Sequence, residues 1–163
     1  MNNIAPVQNT NVVRVADFVR LQGTSIVARM STAAVEILVP QVDAQPFDAL
    51  GVLIKVGDTQ RDIKSTANES TFTLVGIDTA VLGWVLSNQI KGSQIEAWHG
   101  FFDTYGAFIT TGGTGGLYQF FNGYINSFGI SEQWMEEARQ FIGIITVNAS
   151  SIQIILKNRI GGR

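Results

Sequence analysis

Apolar residues recur at every second position through most of this 163-residue chain. Successive side chains of an extended strand point to opposite faces, so this spacing commits the chain to strands paired in sheets. In "VVRVADFVRL", Val13, Val15, Val19 and Leu21 share one face, while Arg14, Ala16 and Arg20 share the other. "TSIVARM" repeats the pattern with Ile26, Ala28 and Met30, and Gly23 and Thr24 between the two segments predict a hairpin. "VEILV" predicts a short strand with Val35, Ile37 and Val39 together, closed by Pro40. "PQVDAQPFDAL" holds prolines and aspartates without a period and predicts a loop.

The pattern resumes further on. "GVLIKVG" is an apolar run bounded by glycines, as expected of a strand covered on both faces, and "STFTLVGI" alternates with Phe72 and Leu74 inward and Thr71 and Thr73 outward. "SQIEAWHGFFD" reads as a strand with bulky residues on both faces. In "LYQFFNGYINSFGI", Phe120, Tyr124, Phe128 and Ile130 are expected in phase, and "FIGIITV" and "SIQIILK" predict two closing strands.

Three stretches depart from period two. Residues 78–89 predict one short helix, with Asp78 as N-cap, Ile77, Val81, Trp84 and Val85 at helical spacing, and Gly92 beyond its end. Its expected role is to cover an open side of a sheet. Residues 131–141, "SEQWMEEARQF", fit either a helix capped by Ser131 or a strand, an acidic turn and a return strand. Residues 1–11 are polar, with neither a basic n-region nor an apolar h-region, and predict an arm rather than a secretory signal. With no fixed-period repeat and no linker, residues 12–163 are expected to form a single β-rich domain. The expected fold class is mainly β, a split β-barrel-like or sandwich domain with one short helix and an N-terminal arm.

Composition limits the chemistry. The chain has no cysteine and one histidine, which excludes thiolate catalysis and any site built on two imidazoles. A net charge of -2 gives no electrostatic reason for a nucleic-acid partner, and the basic end, Lys157, Arg159 and Arg163, is too sparse to claim one. No apolar run reaches the roughly 18 residues of a membrane-spanning helix. At 45% hydrophobic and 15% charged, the chain has an apolar surplus that points to surface shared with another protein.

In "TTGGTGGLYQFF", a phosphate loop would need a lysine and a hydroxyl residue directly after the glycines, where Leu117 and Tyr118 stand. A dinucleotide fingerprint would need a glycine at Tyr118 and a helix behind it, yet the following residues alternate as a strand. The glycines therefore predict a hairpin tip, with positive φ at one or more of Gly112, Gly113, Gly115 and Gly116. His99, Glu96 and Asp103 are the one conceivable acid–base cluster, but Glu96 shares a strand face with Trp98 while His99 points the other way with Ile95. Glu136 and Glu137 are adjacent and diverge, as in a solvated turn. Trp98, Tyr105, Tyr118 and Tyr124 are the aromatics that would stack on sugar rings. No catalytic, cofactor-binding or metal-ligating residue is assigned, and no cofactor is expected.

The order of the stations from Ser65 onward resembles phage tail-tip and baseplate proteins of the distal-tail and hub type. The matching residues are Asn68, Glu69, Leu74, Gly76 and Ile77, then Gly92, Ile95, Trp98, Gly100, Phe101, Phe102 and Asp103, then Phe121, Gly123 and Ile125. "MSTAAVEI" and "LGVLIKVGDTQRDI" resemble earlier stations, so the likeness covers most of residues 13 to 159. The chain departs from that pattern in its long "TTGGTGG" tip and in stopping soon after the last expected strand.

The resemblance implies a structural, mainly β, split-barrel-like subunit of a phage tail or baseplate. Such a subunit would assemble into a symmetric homo-oligomeric ring around the tail axis and dock neighbouring tail proteins. It would reside in the virion after synthesis in the bacterial host cytoplasm. The alternative is a carbohydrate-binding β domain for host attachment, and an enzyme stands third.

Overall fold

The computed structural model describes residues 7, 13–24, 26–49, 53–56, 69–75, 83, 90–110, 115–136 and 139–151. Among these residues seven strands are present: β1 (Arg14–Gln22), β2 (Val27–Ser31), β3 (Leu53–Val56), β4 (Glu69–Val75), β5 (Gln94–Phe102), β6 (Leu117–Met135) and β7 (Gln140–Ser151). They form one sheet in the order β2-β1-β5-β6-β7-β4-β3, and every neighbouring pair is antiparallel. The chain is mainly β, as its spacing requires. Among the described residues the sheet is not closed into a barrel, and β2 and β3 form its two edges.

Antiparallel register aligns the alternating apolar residues of successive strands. Val19 lies opposite Met30 on one side and Ala97 on the other. Ala97 faces Phe121, Ile125 faces Ala149, and Val147 faces Phe72. The result is one apolar face running from β2 to β4, with Leu21, Ile95, Leu74 and Ile145 also buried in it. Phe72 of β4 and Phe121 of β6 are separated in the sheet by β7, yet their rings meet edge-on with centroids 5.6 Å apart.

The opposite face is built differently. Ala16, Phe18, Trp98, Phe102 and Leu117 form a second buried cluster, which is closed by Val39 and Phe47 from the segment after β2. Phe47 meets Phe18 edge-on at 5.3 Å and Trp98 at 6.4 Å. That segment is the loop expected over "PQVDAQPFDAL", and it acts as the cover of this face. It is joined to β2 by backbone bonds from Ser31 to Asp48 and from Asp48 to Arg29.

Ion pairs pin the cover further along the same face. The guanidinium of Arg20 donates to Glu96, to the carbonyl of Val42 at 3.0 Å and to Asp43 at 3.2 Å, and it lies 5.5 Å from the Trp98 ring centre. Arg29 Nε makes an ion pair with Asp43 Oδ2 at 2.8 Å. Arg29 above all, then the Gln45 amide and Arg20, hold the Asp43 carboxyl down at about 2 against the opposing effect of burial.

Several expectations are corrected. "VEILV" forms no strand. Ile37 makes an isolated bridge with Phe47, and Val35 and Leu38 are exposed. The two faces of β1 alternate as its spacing implies, and each is buried in part, Val19 and Leu21 on one and Ala16 and Phe18 on the other, while Val15 is 57% exposed. Phe120, Tyr124, Phe128 and Ile130 are not in phase. Register shifts between Ala97 and Trp98 on β5, and between Ile125 and Ser127 on β6, make Phe120 and Asn126 supernumerary, and each bulge resets the alternation. Tyr124 is left on the covered face, and Phe128 and Ile130 fall on the apolar one.

Of the two readings of residues 131–141, the strand–turn–strand is present, with β6 running to Met135 and β7 starting at Gln140. Within the helix expected over 78–89 only Gly83 is described, and it is helical. The remainder of that stretch, all of the arm except Val7, residues 111–114 of the glycine tip, and "SIQIILK" beyond Ser151 lie outside the described residues.

Candidate functional site

The sheet separates the residues that sequence alone grouped as an acid–base cluster. Glu96 accepts from Arg20 and from Gln119 on the covered face. His99 lies on the apolar face, where its Nδ1 is 2.7 Å from Asp17 Oδ1 and its ring stacks on Phe120 at 4.1 Å. Asp103 is engaged within its own loop, accepting from the amides of Tyr105 at 2.8 Å and Ala107 at 2.9 Å. Three carboxyl or imidazole groups thus serve three separate places. Asp17, the partner of His99, was missed because the two are 82 residues apart and meet only through the pairing of β1 with β5. Among the described residues no group of three acidic or imidazole side chains converges as a metal would require.

The glycine tip enters β6 directly at Leu117, without a helix N-terminus. Gly115 and Gly116 have φ of 97° and 72°, as the glycine run predicted. A Cβ on Gly116 would stand 2.8 Å from the carbonyl oxygen of Ile109, so a close backbone approach demands glycine there. Glu136 is exposed in the turn before β7, and Glu137 lies outside the described residues. The basic end at Lys157, Arg159 and Arg163 lies outside them as well.

The four aromatics have different fates. Trp98 is 5% exposed and belongs to the second cluster, whereas Tyr105 is 94% exposed at a loop tip. Tyr118 is half-buried and lies parallel to the His99 ring at 6.4 Å. Tyr124 is half-buried and lines a shallow cleft of about 340 Å³.

Among the described residues, the hairpin of β6 and β7 carries two large apolar side chains to the surface. β5 begins at Gln94 opposite Tyr124, and the chain before it docks on β6 through Gly92 N–H to Ile125 and Ile125 N–H to Ser93. Beyond that point, residues 126–135 of β6 pair with β7 alone among the described strands. Past the bulge at Asn126, Phe128 still packs against the main core. Ile130 and Trp134 continue its line outward, 43% and 48% exposed.

Near its base, the other side of the same hairpin carries a polar chain. Thr71 donates to Asn148, which donates in turn to Ser127. Alternation makes the arm two-faced, and the bulge puts its apolar side in line with the core.

No family model matches the chain, and no curated protein matches it. Among solved structures, a chain from the virion of a native gene transfer agent particle shares the fold. It matches 100% of this chain with a TM-score of 0.70 at 11% sequence identity. The match takes in 47% of that chain, so the present sequence spans about half its length. At that identity the likeness is one of fold.

Proposed function

We propose that this chain is a structural component of a phage-like virion, a tail or baseplate subunit that self-associates into a ring about the tail axis, docks neighbouring tail proteins and catalyses nothing. The observation that carries the reading is the β6–β7 arm, whose apolar side extends the core stripe out to the exposed Ile130 and Trp134. Complete burial of a large apolar side chain is worth about 1.5–3 kcal/mol, and a neighbouring subunit would supply the part of it that these two still leave to water. The fold shared with a chain of a gene transfer agent virion supports the same setting. Identical subunits that meet through two different surfaces close into a ring when the rotation between them divides a full turn.

Light scattering and class averages of the purified protein test this. Discrete rings are expected, and Ile130→Ser with Trp134→Ser should weaken assembly by at least about tenfold, equivalent to 1.4 kcal/mol. A protein that stays monomeric at high concentration, or rings indifferent to both substitutions, would sink the proposal. Nucleotide or glycan turnover that disappears with His99→Ala would overturn its non-catalytic part.

A further inference from the structure

We propose that the covered face of the sheet also holds a saccharide, in the shallow cleft where Gln22, Gln94 and Tyr124 stand side by side. Register places them in one transverse row, with Gln22 opposite Gln94 and Gln94 opposite Tyr124. Neighbouring strands are about 4.8 Å apart, so the row spans about 10 Å of sheet. The β1–β2 turn at Thr24 and the turn carrying Lys91 and Ser93 before β5 line the cleft beyond the end of this row. Its volume of about 340 Å³ lies at the lower end of the range of small-ligand sites, about 300–1,000 Å³.

The lining decides the ligand class. A primary amide offers a donor and an acceptor in one plane, which matches a vicinal pair of sugar hydroxyls. Gln94 is already oriented by its Nε2 bond to Asn122 Oδ1 at 3.1 Å. The side chains of Gln22, Thr24 and Lys91 have no partner among the described residues and complete the polar rim. Tyr124 supplies an aromatic body with a polar tip, a surface for the C–H side of a pyranose ring.

Other ligand classes fit less well. Phosphate recognition would need more than the one cation of Lys91 or a helix N-terminus. A peptide strand would need an open sheet edge, and at this row β1, β5 and β6 already pair with one another. The site is independent of the assembly arm and stands or falls separately from it.

Amide chemical-shift titration of the intact chain tests the site, using the methyl glycosides of glucose, N-acetylglucosamine and glucuronic acid. At least one should give saturable shifts in the millimolar range, centred on Gln22, Lys91–Gln94 and Tyr124. Tyr124→Ala should weaken that binding by about tenfold or more. Gln22→Ala, an exposed change that leaves the core untouched, should weaken it severalfold with the spectrum otherwise unchanged. The absence of saturable shifts with all three glycosides, or shifts that survive both substitutions, would overturn the proposal.

Discussion

The two faces of the sheet solve the same problem, excluding water from strands, by opposite means. One face is apolar from β2 to β4, where register aligns the buried residues and Ile90 joins them from the segment before β5. The other is apolar around Phe18 and Trp98, then turns polar through Arg20, Glu96, Gln94 and Tyr124. It is closed by an irregular segment tied down with charges. A continuous stripe cannot be loosened at one point without disturbing the sheet, whereas a tethered cover has room to open by itself. The stripe also runs out along the β6–β7 arm to the exposed Ile130 and Trp134, which makes it the side expected to meet a neighbour.

The largest effect should come from breaking the stripe. Phe72 is fully buried between β7 and Phe121, and Phe72→Ala should cost toward the upper end of about 3–5 kcal/mol. Phe47→Ala on the cover should fall toward the lower end of that range, because the loop can settle into the space left behind. Urea unfolding of both variants and the parent protein measures the difference. Equal losses, or a larger one for Phe47, would mean that the cover is as much a part of the cooperative core as the strands are.

The next effect concerns the tether. Asp43→Asn should destabilise by about 1–2 kcal/mol, more than a solvent-exposed pair, because both arginines meet this carboxylate beneath the loop. The folded-state value of the Asp43 carboxyl, about 2, lies below the ordinary carboxylate range. Its contribution is therefore fully present above about pH 4, the unfolded value, and is lost as pH falls from there through about 2. Asp43→Asn should flatten the acid limb of stability in that window and speed amide exchange at Ser31 and Asp48, the backbone links between cover and β2. An unchanged acid limb in the variant would show that the tether does not hold the cover.

This contrast was only half visible in the sequence. Alternation identified Phe72 and Leu74, Ala28 and Met30, and the two-sided β5, because each depends on neighbours two residues away. It also separated Glu96 from His99. Long-range pairing was hidden, since nothing near Asp17 announces β5 and nothing near Phe47 announces Phe18. In a stretch rich in proline and aspartate, Phe47 has no period to reveal its burial. The bulges at Phe120 and Asn126 were hidden for a related reason. A single supernumerary residue leaves each local pattern intact while reversing its phase, and Tyr124 was therefore assigned to the wrong face. The arm surface and the cleft both lie beside those phase changes, which is why neither could be drawn from spacing alone.

The smallest effect concerns the pair of His99 and Asp17 on the apolar face. His99 and Asp17 sit at the rim of the stripe, with side chains 37% and 27% exposed and a separation of 2.7 Å. Water reaches both groups, so the geometry is better than the energy it delivers. A double-mutant cycle with His99→Ala and Asp17→Ala should give a coupling below about 1 kcal/mol. Removing His99 alone should cost a little more than the coupling, since its ring also covers Phe120. The cycle needs only thermal or urea unfolding of four proteins. A coupling above about 2 kcal/mol would mean that the rim is as closed as the interior, and the division into a dry stripe and a tethered cover would then have to be redrawn around this pair.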